Sequence, residues 1–281
     1  MMIKSILPFI AIVLFLLALL FRNKTFLKRL RKEPAEFEKI VGASGWFFIA
    51  GYCFFEASEY IDKNEYFDAS LAFVFLAFSL LLAFLLVKTK EKEDLFFTIT
   101  KIALITAIFY FPFSEFPFLS ELLIYITAKI TTMMLNLFNV GVYMVPPSCI
   151  YTTIGSFHEV YKPIEIILAC TAIQSMVLFI GLIFGLNAPT RRKLKAFFVS
   201  VPVIYGLNIL RNMFVTTAYF GQWFGSPLQS FYIAHSVIAR IGAMIALIAI
   251  AYAVFVILPE ALDLVEDFFQ FIFKPIKRNK K

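Results

Sequence analysis

Residues 69–87 read ASLAFVFLAFSLLLAFLLV, nineteen positions without a charge or a proline. A helix over this stretch rises 1.5 Å per residue and is about 28 Å long, close to the thickness of a bilayer's hydrocarbon core. The stretch therefore predicts a membrane span. Runs of the same character fall at about 3–21, 95–113, 164–186, 196–220 and 231–257. A further segment, 41–60, carries Gly42, Gly45 and Gly51 and ends in Glu56 and Glu59, yet its centre WFFIAGYCFF is too apolar for water. Region 119–143 differs in kind. There Glu121, Tyr125, Ala128, Lys129, Thr132 and Asn136 recur at helical spacing beside a broad apolar face, which suits an interfacial helix as well as a span.

Composition points the same way. Of 281 residues, 61% are apolar, 18% aromatic and 16% charged, with a mean hydropathy of +0.84. Soluble domains are about half apolar and a quarter charged, and none of this size hides 36 Phe residues. Disordered, collagenous, coiled-coil and disulfide-scaffold classes are excluded. Cys53, Cys149 and Cys170 form no CxxC pair and have no flanking histidines, so zinc, haem and redox-motif readings fall away and no cofactor or metal is expected.

The net charge of +7 marks topology rather than nucleic acid, because of where the charge sits. Residues 22–39 hold seven Lys or Arg, 88–94 three, 187–195 four and 258–281 five, together 19 of 26. The positive-inside rule places all four segments in the cytoplasm if the N-terminus is outside, seven helices span, and 119–143 lies on the outer surface. An eighth span at 119–143 would force a basic loop outside. The first 22 residues read as a retained anchor rather than a signal peptide, because the basic cluster follows the apolar run and no small-x-small cleavage site precedes Arg22. The expectation is an all-α polytopic membrane helical bundle, one integral domain over 1–281, with seven transmembrane helices or eight if 119–143 crosses. An outer interfacial helix, a short outer loop or hairpin over 144–163 and a basic cytoplasmic tail at 258–281 complete it. In that outer loop His158 and Glu159 read as solvated residues.

Two arginines do not belong to the topology signal. Arg211 and Arg240 sit inside apolar spans, where each costs at least about 2.5 kcal/mol unless it faces a polar interior. On regular helices Cys170 lies six residues below an outer helix start, His235 four and Arg240 nine, while Arg211 is about nine from its own outer end. Three helices thus bring a thiol, an imidazole and two guanidinium groups to similar depth in the outer half of the bilayer. A cation favours the thiolate, which attacks carbonyls; arginine also steadies an oxyanion; histidine carries the proton to a leaving amine. The chemistry implied is acyl transfer through a thioester. Spacing adds Gln174 one helical turn from Cys170, and a face shared by Asn208, Arg211 and Asn212. Cys53 lacks such neighbours and reads as packing. A small-solute transporter or a non-catalytic membrane assembly protein would also keep polar residues inside a bundle. The paired repeats of many transporters are not visible here.

At these residues the chain resembles the exosortase and archaeosortase family. The likeness is carried by ILACTAIQSM around Cys170, PVIYGLNILRNMF around Arg211 and IAHSVIARIGAMIALIAIAYAVFVILPE around His235 and Arg240, and it covers about 145–260. It implies a membrane-embedded cysteine transpeptidase that cleaves C-terminal sorting signals of exported surface proteins, of the PGF-CTERM type, and transfers them to a membrane phospholipid acceptor. It further implies Cys170 as nucleophile and Arg211 as the first arginine. The third position is open, because exosortases have a histidine there and the archaeosortase side an arginine, and this chain offers His235 and Arg240. Helical rotation of about 500° between those two sets their side chains roughly 140° apart. On that count Arg211 and Arg240 flank the thiolate while His235 shuttles protons nearer the interface.

Overall fold

A computed structural model describes residues 2–23, 36–89, 91–153 and 162–273. The elements run α1 Met2–Arg22, α2 Phe37–Asp62, α3 Tyr66–Lys88, α4 Glu93–Glu115, α5 Pro117–Leu137, β1 Val142–Val145, β2 Cys149–Thr152, β3 Ile164–Glu165, a 3-10 turn Leu168–Thr171, α6 Ile173–Gly185, α7 Thr190–Phe220, α8 Pro227–Phe231, a π-helical segment Tyr232–Ile238, α9 Ala239–Ile257 and α10 Pro259–Phe273. Among the described residues seven helices are long and apolar enough to cross a membrane: α1 to α5, α7, and the continuous run Pro227–Ile257. The polytopic helical bundle is as expected. Its membership is not, because the helix expected over 164–186 is only α6, Ile173–Gly185, whereas Pro117–Leu137 qualifies by length and hydropathy. The segment before α6 is consumed by β3 and the 3-10 turn, and Ala172 at φ 58° breaks any helix running through it.

The chain divides into two compact units, one of residues 1–111, 184–186 and 262–281, the other of 112–183 and 187–261. In the first, α1 lies against α2 and α2 against α3, around buried Phe15, Trp46, Leu82 and Phe96. The glycines that made 41–60 look uneven as a span are what let the helices close. A Cβ on Gly42 would meet Leu86 at 2.7 Å, and one on Gly45 would meet the Phe15 ring at 2.6 Å. Small residues at such contacts are the usual way for helices to pack in lipid, where association gains little from the hydrophobic effect. Trp46 donates to Thr100 Oγ1 at 3.0 Å, keeping its indole N–H satisfied in the core.

Ion pairs close both ends of this unit. Lys4 meets Glu56 at 2.8 Å and Glu59 at 2.7 Å at one end; Lys39 pairs with Glu93, and Arg22 with Asp94, at the other. Lys92 reaches Asp267 at 2.6 Å, which brings α10 to the end that already carries Arg22 and Lys39. The basic segments around 22–39 and 88–94 therefore share an end, as the charge count required. Cys53 packs against the Tyr52, Ala107 and Phe111 cluster.

In the second unit α7 is the axis. β1, β2 and β3 form an antiparallel meander in the order β1-β2-β3, with Val145 opposite Cys149 and Cys149 opposite Glu165. The expected hairpin is present, extended by a third strand. His158 and Glu159 lie outside the described residues. Asn136, at the end of α5, clamps β1 by donating to the Val142 carbonyl at 2.9 Å and accepting from its N–H at 3.1 Å. Tyr219 donates to the Lys162 carbonyl at 2.8 Å, tying the far end of α7 to the segment entering β3.

At the near end, Arg192 makes a two-pronged pair with Glu260, its Nη1 donating to Oε2 at 3.1 Å. The first-turn backbone N–H of Glu260 and this guanidinium hold the carboxyl below the usual carboxylate range. A lowered native pKa gives stability that is fully present above the ordinary value and lost as pH falls through the native one. Glu260→Gln is expected to remove that acid-side dependence from unfolding curves.

The glycine contacts make a sharper prediction. Phe15 is fully buried and has nowhere to swing. Gly45→Ala is expected to destabilise by about 1–3 kcal/mol through overpacking, whereas Gly51→Ala, whose Cβ meets only Leu7 at 3.6 Å, is expected to be neutral or stabilising. Thermal unfolding of the detergent-solubilised protein compares the two.

Candidate active site

The site assembles around a place where the chain is not helical. Ile167 is extended, Leu168–Thr171 make one tight turn, and Ala172 adopts a left-handed conformation before α6 begins. Cys170 sits in that turn, half-buried, with its N–H donating to the Ile167 carbonyl at 2.8 Å. Its own carbonyl accepts from two side-chain amides of α7, Asn208 Nδ2 at 2.7 Å and Asn212 Nδ2 at 3.0 Å. The two asparagines are four apart and lie on one face. They are 8% and 4% exposed, so the bonds form away from bulk water. The expected relation between Cys170 and Gln174 does not hold: Ala172 interrupts the helix between them, and Gln174 is exposed on the first turn of α6.

Arg211 and His235 meet. Arg211 Nη2 lies 3.2 Å from His235 Nε2, and since guanidinium can only donate, Nε2 is the acceptor and its lone pair faces the arginine. The His235 ring stacks on Phe231, centroids 5.0 Å apart and planes 14° from parallel. That stacking joins residues four apart through a π-helical stretch, where widened turns redirect side chains. The 140° divergence reckoned for a regular α-helix between positions 235 and 240 therefore does not apply.

A small cavity of about 30 Å³ joins these parts. It is walled by Ile164, Glu165 and Ile166 from the β3 region, Cys170, Asn212, Val215 and Thr216 from α7, and Phe231 and His235. His235 thus shares a cavity wall with Cys170. Arg240 is exposed and does not line the cavity. Glu165 accepts from Ser148 Oγ at 3.5 Å. Cys149 lies in β2, half-buried, outside this cavity.

Sequence reasoning missed Phe231 and Thr216. Thr216 was within reach, because the polar stripe Asn208, Asn212 continues to it at i+8 on the same face. Phe231 was not, because its overlap with His235 depends on π-helical geometry that leaves no residue pattern. Asn208→Ala and Asn212→Ala are each expected to cost about 1 kcal/mol. The double variant should lose more than their sum, since the Cys170 carbonyl then has neither donor. Denaturant titration of the two singles and the double measures this.

Comparison with known proteins now bears on this arrangement. The sequence profile of the transmembrane exosortase family matches residues 4–252. Archaeosortase A of Haloferax volcanii is 36% identical over 118 residues, covering 37% of this chain and 39% of the relative. Archaeosortase A of Natronomonas pharaonis is 29% identical over 196 residues, covering 62% of each. The chain thus spans about two fifths and three fifths of the lengths of these two relatives. No solved structure matches it. With a match over most of its length, and helices of the number and character that a multi-pass membrane protein requires, the chain belongs to the transmembrane exosortase family.

Proposed function

We propose that this protein is a membrane-embedded cysteine transpeptidase that cuts C-terminal sorting signals, of the PGF-CTERM type, from exported surface proteins and passes them to a membrane phospholipid. The observation that carries the reading is the shared cavity of Cys170 and His235, with His235 held by Arg211. Arg191, Arg192, Lys193 and Lys195 crowd one end of α7, where Arg192 pairs with Glu260. With that end in the cytoplasm, Arg211 lies about 28 Å further along the helix, in the outer half of the bilayer. A substrate helix in the same bilayer would bring its outer peptide bond to that level without a separate capture step.

In this reading the Cys170 thiol gives its proton to His235 Nε2 as the Arg211 guanidinium shifts its hydrogen bond to the developing oxyanion. Sγ bonds to the carbonyl carbon. The tetrahedral intermediate collapses with cleavage of the C–N bond, and the departing amine takes the proton from Nε2. The acceptor's nucleophile then attacks the thioester carbon and yields its proton to Nε2, and as the C–S bond breaks the departing sulfur takes that proton, restoring the Cys170 thiol. Asn208 and Asn212 hold the backbone that aims Sγ. Arg240 adds a second fixed positive charge on the helix that carries His235, and a cation nearby favours the Cys170 thiolate.

Processing of a reporter polypeptide carrying such a signal tests the assignment. Cys170→Ala is expected to abolish it, Arg211→Ala and His235→Ala to lower it at least a hundredfold, and Arg240→Ala to lower it about tenfold. Undiminished processing with Cys170→Ala sinks the enzyme reading. A dead Arg240→Ala beside an active His235→Ala would make the two arginines the working pair.

A further inference from the structure

Thr216 is fully buried, and its hydroxyl has no hydrogen-bond partner. Among the described residues only one other buried side-chain polar atom shares that condition, Thr131 Oγ1, and Thr131 does not line the cavity beside Cys170. Several other buried helical hydroxyls are satisfied locally. Thr100 donates to the Phe96 carbonyl at 2.9 Å, Thr132 to Ala128 at 2.9 Å and Ser200 to Ala196 at 2.7 Å, each four residues back. Thr217, the neighbour of Thr216, does the same to Met213 at 2.8 Å. Thr216 forgoes that easy bond, and an unsatisfied buried hydroxyl is costly.

The orphan lies on the wall of the cavity that Cys170 and His235 share. The cavity's volume of about 30 Å³ has room for one or two water-sized groups, so it admits a carbonyl but no bulky side chain. An oxygen attached to a carbon under attack by Sγ must lie in this space. Of the cavity's other polar side chains, Asn212 is engaged with the Cys170 carbonyl, His235 with Arg211 and Glu165 with Ser148, and Glu165, when ionised, can only accept.

Building on the acyl-transfer reading above, we propose that Thr216 is a substrate-binding residue whose hydroxyl donates a hydrogen bond to the carbonyl oxygen of the peptide bond attacked by Cys170. The donor would be unpaired in the free protein and satisfied when substrate enters, so its contribution appears only in the complex and the transition state. It would share the developing oxyanion charge with the Arg211 guanidinium.

Thr216→Val keeps the side chain's shape and removes the donor. In full-length protein reconstituted into phospholipid vesicles, this variant is expected to process the reporter polypeptide ten to a hundred times more slowly, with the loss in kcat. Its melting temperature without substrate should equal or exceed the wild-type value, because an unsatisfied hydroxyl has been removed. Thr216→Ser keeps the donor and should stay within about threefold of the wild-type rate. Should Thr216→Val fail to fold, Thr216→Ala carries the same rate expectation. Cys170→Ala runs in the same series: if it still processes, the acyl-transfer reading itself falls. If Cys170→Ala is dead while the Thr216 variants that lack the hydroxyl run at the wild-type rate, the hydroxyl holds no more than water and only this inference is overturned.

Discussion

The carbonyl oxygen of Cys170 receives two amide hydrogen bonds from one face of α7, at 2.7 and 3.0 Å, and the geometry of the candidate site hangs on that junction. A backbone that leaves a strand, makes a single 3-10 turn and passes through a left-handed alanine has few hydrogen bonds of its own to fix it. Each amide bond is worth only about 1 kcal/mol net. Their effect on position is larger than that figure suggests, because both converge on one atom and fix the turn in translation and rotation together. α7 is thirty-one residues long and braced at both ends, by Glu260 on Arg192 and by Lys162 on Tyr219. The Cys170 turn is therefore indexed to a long helix held at both ends, which is also the one that supplies Arg211.

That arrangement explains why an intramembrane arginine is tolerable here. Arg211 shares its helix face with the two asparagines and meets an imidazole rather than hydrocarbon. Donating to Nε2 restores part of its lost hydration, and in the same act it fixes which nitrogen of His235 is free of hydrogen. Phe231, stacked on the ring, removes the remaining rotational freedom. The π-helical segment is the backbone device that makes the stacking possible. Its cost is accepted at the one place in that long helical run where a side chain has to be aimed at a partner on another element.

Much of this was legible in residues 69–87 and their like, because length and apolarity alone oblige a chain in lipid to satisfy its backbone within each segment. The pairing of basic ends was legible too, and Arg22, Lys39, Lys92 and Asp267 gather as the counts required. What failed to show was the break before α6. ILACTAIQSM is apolar enough to read as part of a span, and hydropathy cannot distinguish helical from irregular backbone when both are buried in protein. The fold over 164–172 is decided by β3 pairing with β2 and by the asparagines of α7, both distant in sequence. Depth reckoned along a helix from residue 164 accordingly fails for Cys170, while Arg211 and His235 still meet, Arg211 from the regular helix α7 and His235 from a π-helical segment.

Irregular backbone inside a bilayer-sized bundle has to be shielded from lipid, and this requirement links the meander to the chemistry. The carbonyl of Ser148 takes the N–H of Ile166, Asn136 takes both polar groups of Val142, and β2 pairs with β1 on one side and β3 on the other. With its backbone satisfied in this way, the meander can present Ile164 and Ile166 as apolar walls to the cavity that holds Cys170. An apolar wall excludes water, and in a dry cavity the hydrogen bonds offered by Arg211 and by a hydroxyl such as that of Thr216 act on a developing charge far more strongly than they would in solvent. The sheet that looks like an ornament on an all-helical protein thus supplies part of the wall of the cavity that Cys170 and His235 share, and under the proposed function it would help keep that cavity dry.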